Sequence, residues 1–132
     1  MITDEGLPEG KIPIIRVPAT PTKANKGGSI FGGWIMAQVD IAGSIPAEMR
    51  AKGPIVTRIV DSIEFKKPVF VGDLMSWYAD IVAEGRTSVT VKVDVYAQRI
   101  NKGEIETIMV TEANLVYVAV DLTGKPRALP EK

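Results

Sequence analysis

Between Gly33 and Ile45 the only ionisable side chain is Asp40, in a run whose apolar members Ile35, Met36, Val39, Ile41 and Ile45 recur at close to helical spacing. On a helical wheel Asp40 shares a face with Gly33, Ala37 and Ser44, so its neighbours are small. A carboxylate on an otherwise apolar helix costs stability unless it is paired, yet small neighbours leave room for a substrate or a water, and partial desolvation suits a general base. The competing reading gives Asp40 a hydrogen bond to Ser44 or to a nearby backbone amide and no chemistry. The pattern alone does not separate the two.

Gly32 and Gly33, at the start of the same run, would present unbonded amide N–H groups at the positive end of a helix and let a carbonyl oxygen approach closely. Such a pair can hold an oxyanion, although a Gly-Gly before a helix is more often a tight turn. Upstream, Asn25 sits in a glycine-rich loop, where its amide could orient a water or a carbonyl or simply shape the turn. Gly85-Arg86-Thr87-Ser88 could cradle a phosphate through amides, hydroxyls and a guanidinium, with a hairpin turn as the alternative.

The composition narrows the chemistry. The 132 residues contain no histidine and no cysteine. The commonest general base, the usual hydrolase triad, thiolate nucleophiles and most transition-metal sites are therefore unavailable, and carboxylates must carry any proton transfer. Sixteen basic residues balance sixteen acidic ones, so the long-range field that draws proteins to nucleic acid or anionic membrane is missing. No stretch approaches the roughly 18 apolar residues of a membrane span, and the first ten residues, with Asp4, Glu5 and Glu9, do not resemble a secretory signal. A cytoplasmic protein is expected.

These side chains must be positioned by one domain, the length being too small for two. Residues 1–16, broken by Pro8 and Pro13, read as an arm, 17–123 as the domain and 124–132, with Pro126 and Pro130, as an irregular tail. Ile30 to Ile45 reads as a buried helix that Pro46 kinks or divides before it resumes towards Lys52-Gly53-Pro54. From Ile55 the period changes to two, clearest in Val89, Val91, Val93 and Val95, which predicts four strands over Thr57–Phe65, Leu74–Ala83, Ser88–Arg99 and Glu106–Val120. Short connections make the sheet antiparallel, and strands this long suggest a curved sheet that wraps the helix. A sheet covers only one side of a helix that is apolar nearly all round. A second copy of the chain, its sheet joined edge to edge, is expected to cover the rest. Trp34 and Trp77 read as core packing rather than as platforms for bases.

The segment Asn25-Lys26-Gly27-Gly28-Ser29-Ile30-Phe31-Gly32-Gly33-Trp34-Ile35-Met36, followed by Gln38-Val39-Asp40, resembles the signature of bacterial YciA-type acyl-CoA thioesterases. The likeness continues through Val56-Thr57, Phe65, Pro68-Val69, Val71-Gly72-Asp73, Gly85 to Ser88, and Val118 to Asp121 with Gly124 and Arg127 to Pro130. It implies an α+β hotdog fold: one long helix wrapped by a curved antiparallel sheet, dimerised edge to edge, with dimers assembled into a hexamer as a trimer of dimers. It also implies hydrolysis of acyl-CoA to a free acid and coenzyme A, the coenzyme being part of the substrate and no further cofactor or metal being required.

In that family an aspartate and an asparagine face each other across the dimer interface, at positions matching Asp40 and Asn25. Asp40 would act as general base or nucleophile, Asn25 of the other protomer would position water, and the amides at Gly32 and Gly33 would stabilise the oxyanion. Coenzyme A contacts carry over to Arg58, Ile59 and Val60 on one strand and to Thr87, Ser88 and Val89 on another, with Arg86 near a phosphate. Two departures stand out: Pro46 replaces the usual aliphatic residue and bears on the acyl tunnel, and Arg58 stands where a small or apolar residue is usual. Hydratases on the same fold generally rely on a histidine that this chain lacks. The remaining alternative is a non-catalytic acyl-CoA sensor or oligomeric scaffold, in which Asp40 is structural.

Overall fold

The computed structural model describes residues 6–132. Period-two segments become strands and the apolar run becomes a helix, in the order β1 (Ile15–Pro18), α1 (Gly32–Ala51), β2 (Ile55–Phe65), β3 (Leu74–Glu84), β4 (Ser88–Asn101) and β5 (Glu104–Ala119). A turn of 3-10 helix, Pro21–Lys23, lies in the loop before α1. All neighbouring strands are antiparallel in the order β1-β3-β4-β5-β2, so the strand that follows the helix crosses to the far edge of the sheet.

The helix lies on the face formed by the alternate residues of β4. Val89, Val91, Val93 and Val95 are fully buried, as the alternation predicts, together with Trp77, Leu115 and Tyr117. From α1 the residues Ile35, Val39, Ala42, Gly43, Ala47 and Ala51 are buried against them. The small residues in the second half of this set bring the helix close to the sheet. Trp34 and Trp77 pack edge to face at 5.6 Å, and the Trp77 indole N–H donates to the carbonyl of Ile35 at 3.4 Å, so Trp77 is core and Trp34, partly buried, packs against it.

Two expectations need correction. The helix is not divided at Pro46 but runs unbroken for 20 residues, to a left-handed cap at Lys52 whose N–H donates to the Glu48 carbonyl at 2.8 Å. Proline removes one intrahelical donor, and burial of the alanines and glycine on either side of it outweighs that loss. A short strand, β1, was not expected. It begins inside the expected arm and pairs Ile15 with Trp77 and Val17 with Met75. Pro18 ends it at a sheet edge, where a missing N–H is tolerated. Of the arm, residues 1–5 lie outside the described residues. The tail has no helix or strand but is not loose: the Leu129 amide donates to the Arg86 carbonyl, and the Arg127 guanidinium donates to the carbonyls of Val120, Ala51 and Pro54.

Two of the uncovered apolar surfaces lie beside the middle of the helix. On α1 the residues Ile41, Ile45 and Met49, one helical face, are exposed. The edge strand β2 exposes Val56, Ile59 and Val60. No helix among the described residues is long and apolar enough to cross a membrane.

Candidate active site

Asp40 is half-buried at the middle of α1, where the helix passes over β5 and the edge strand β2. Register decides what meets it. Tyr117 of β5 is the direct partner of Val89 on β4 and of Thr57 on β2, so these three form one row across the sheet. Thr57 Oγ1 donates to Asp40 Oδ1 at 2.7 Å. The Tyr117 hydroxyl lies 2.7 Å from the Asp40 carbonyl oxygen and 3.3 Å from Oδ1. Burial, and then the neighbouring Asp40 charge and hydrogen bond, push the Tyr117 phenol well above its ordinary value, so at neutral pH it stays protonated and donates. Ser44, one of the partners considered for Asp40, instead donates to the Ile41 carbonyl at 2.7 Å.

Neither Tyr117 nor Thr57 was identified as a site residue from the sequence. The only local signal was Gly43. A Cβ there would overlap the Tyr117 hydroxyl, so a glycine three residues along the helix from Asp40 makes room for a side chain 74 positions away in the chain.

Asn25 shapes its own loop. Its Oδ1 accepts from the amides of Gly27 at 2.9 Å and Ser29 at 3.2 Å, and its Nδ2 donates to Ser29 Oγ at 2.9 Å. One Nδ2 hydrogen is left over. Among the described residues no hydrogen bond joins Asn25 to Asp40 within one chain. At the helix start the Ile35 amide reaches the Phe31 carbonyl, and no acceptor for the amides of Gly32 or Gly33 is found among the described residues. The Phe65 ring would lie 3.3 Å from a Cβ on Gly32, while Gly33 faces open space.

The expected coenzyme A contacts divide. Arg58, Ile59 and Val60 are exposed on the outermost strand, and a break in register isolates Arg58 between Thr57 and Ile59. Arg86 is exposed in the β3–β4 turn, where the Gly85 amide donates to the Ser88 carbonyl at 2.9 Å, and Thr87 and Ser88 are half-buried beside it. Val89 does not fit its assignment. Its side chain is fully buried and faces the helix, and its backbone is paired on both sides, with Glu84 and with Tyr117. A cavity of about 600 Å³ lies at the other end of β4, around Arg16, Asp73, Gln98 and Arg99, and none of the expected site residues lines it. Among the described residues no group of three or more acidic side chains is placed to hold a metal ion.

One long helix seated on a single antiparallel sheet, with its one mid-helix carboxylate turned towards an open sheet edge, defines the α+β hotdog class. Residues 27–104 match the Thioesterase superfamily. The acyl-CoA thioester hydrolase YciA of Escherichia coli is 43% identical over 131 residues, 98% of either chain. A hexameric hotdog fold thioesterase of Campylobacter jejuni matches with a TM-score of 0.86 at 41% identity, over 92% of this chain and 91% of its own. A hexameric thioesterase from Yersinia pestis gives 0.86 at 43% identity, over 96% and 100%. The chain belongs to the thioesterase superfamily, among the YciA-type acyl-CoA thioesterases with the hotdog fold.

Proposed function

We propose that this chain hydrolyses acyl-CoA thioesters to a free acid and coenzyme A, in the cytoplasm, as a homodimer assembled further into a hexamer. The observation that carries the reading is the Asp40 carboxylate, placed on an apolar helix and held by hydroxyls from two strands. In the reaction Asp40 takes a proton from a water whose oxygen adds to the thioester carbon. The amides at Gly32 and Gly33 stabilise the resulting oxyanion. The C–S bond then breaks, the sulfur takes the proton back from Asp40, and the acid and the thiol leave.

Asn25 supports this scheme from the second protomer, its spare Nδ2 hydrogen orienting the water. The Campylobacter and Yersinia relatives are hexameric. The uncovered apolar residues of α1 and of the β2 edge are what a second copy would bury, and β2 leaves an unpaired strand edge for it. Coenzyme A would run along Arg58, Ile59 and Val60 and past Thr87 and Ser88, with Arg86 at a phosphate. Val89 is left out because it is part of the core.

The test is thiol release from a panel of acyl-CoA esters of increasing chain length by the wild type and by Asp40→Ala. Turnover by the wild type that is lost in the folded variant supports the enzyme. Tight binding of an acyl-CoA with no turnover replaces it with the sensor reading.

A further inference from the structure

We infer that Tyr117 and Thr57 are positioning residues that clamp one oxygen of the Asp40 carboxylate and thereby select the other, Oδ2, as the oxygen that takes the proton. The inference rests on the reading of Asp40 as the base.

A carboxylate on a helix with small neighbours is free to rotate between rotamers, and that freedom lowers the fraction of time it spends in a reactive geometry. Here two donors converge on the same atom. Thr57 reaches Oδ1 from β2 at 2.7 Å and Tyr117 reaches it from β5 at 3.3 Å. The single Tyr117 hydroxyl hydrogen is shared with the Asp40 carbonyl oxygen at 2.7 Å, which ties the side chain to its own backbone. Among the described residues Oδ2 receives no hydrogen bond, so it is the oxygen left to accept one from a water.

Gly43 is the independent sign that this arrangement is built into the chain. A Cβ at that position would overlap the Tyr117 hydroxyl and lie 3.1 Å from the ring carbon that bears it. Any other residue there would push the phenol off Asp40. Because Tyr117 and Thr57 are direct partners in the sheet, one register places both donors. In the reaction Oδ2 accepts the water proton as the new C–O bond forms and returns it to the departing sulfur as the C–S bond breaks, while Oδ1 stays bonded to both hydroxyls.

The experiment measures kcat and KM for the best acyl-CoA substrate of the wild type, using Tyr117→Phe, Thr57→Val, Thr57→Ser, Gly43→Ala and Asp40→Asn, each checked for folding and oligomeric state. A lost hydrogen bond to a charged group predicts a fall in kcat of about tenfold for Tyr117→Phe, Thr57→Val and Gly43→Ala, with KM changed by less than about twofold. Thr57→Ser, which keeps the hydroxyl, should restore the rate. Added to Asp40→Asn, Tyr117→Phe should cost nothing further, because the group it positions is gone. Wild-type kcat in folded Tyr117→Phe and Thr57→Val would overturn the inference, as would an equal loss from Tyr117→Phe in the Asp40→Asn background. If Tyr117→Phe does not fold, Thr57→Val and Thr57→Ser, on the exposed strand, decide by the same criteria. Failure of the underlying reading looks different: either the wild type turns over no ester or Asp40→Asn keeps the full rate.

Discussion

The hydroxyl of Tyr117 lies 2.7 Å from the carbonyl oxygen of Asp40, a bond that spans 77 positions of sequence and joins the last strand to the middle of the helix. It fixes the rotation of α1 over the sheet at the residue proposed as the base. Stability and function therefore meet at one contact, and several measurements can pull them apart.

Asn25 has two jobs in this reading. Asn25→Ala should lower the rate of thiol release and, because three loop hydrogen bonds go with the side chain, should also destabilise the fold by about 1–2 kcal/mol in urea denaturation. Mixing Asn25→Ala with Asp40→Ala protomers should recover part of the activity, since a mixed dimer holds one intact pair.

Water is the nucleophile if Asp40 is a base. In a single turnover in 18O-labelled water, the label should appear in the released acid and not in the peptide that contains Asp40, as read by mass spectrometry. Label in that peptide would mean direct attack by the carboxylate and an anhydride intermediate.

The exposed face of α1 should be an interface. Ile45→Glu places a charge among Ile41, Ile45 and Met49 and should shift the particle to smaller assemblies in light scattering, with loss of turnover in step.

Far from this site along β4, Asp73 is almost fully buried and bonded twice by Arg99, at 3.0 and 2.8 Å, and also by the Phe70 amide at 2.9 Å. Arg99→Ala strands that carboxylate and should cost about 3 kcal/mol of unfolding free energy.

Asp94 is a half-buried liability. Desolvation raises its carboxyl above the ordinary carboxylate value, helped by Glu112 and Asp80 and opposed by Lys92 and Lys11, and its Oδ1 has no hydrogen-bond partner. A raised value means that the folded state holds the proton more tightly. Its stabilising contribution is therefore present below the ordinary value of 3.8 and is lost as the pH rises through the raised one. Asp94→Asn should accordingly raise Tm at pH 7, and the gain should vanish as the pH falls towards 3.8.

Much of this protein was legible along the chain because its signals are periodic and local. Alternating valines over Val89 to Val95 bury one face as a strand, and an apolar run at helical spacing that holds a single charge reads as a buried helix whose carboxylate must be either paired or used. The chain without histidine or cysteine left that carboxylate as the group to watch. What the sequence could not carry was register. Nothing near Thr57 or Tyr117 in the chain says that the two stand side by side, because strand pairing is settled by long-range contacts between β2 and β5. Nor did the sequence show that Val89, an expected ligand contact, would be fully buried core, or that the helix would run unbroken through Pro46. Residue types determined which group could act as base; only the closing of the sheet beneath the helix decided which hydroxyls hold it, since a hydrogen bond across 77 residues exists only once tertiary structure brings its ends together.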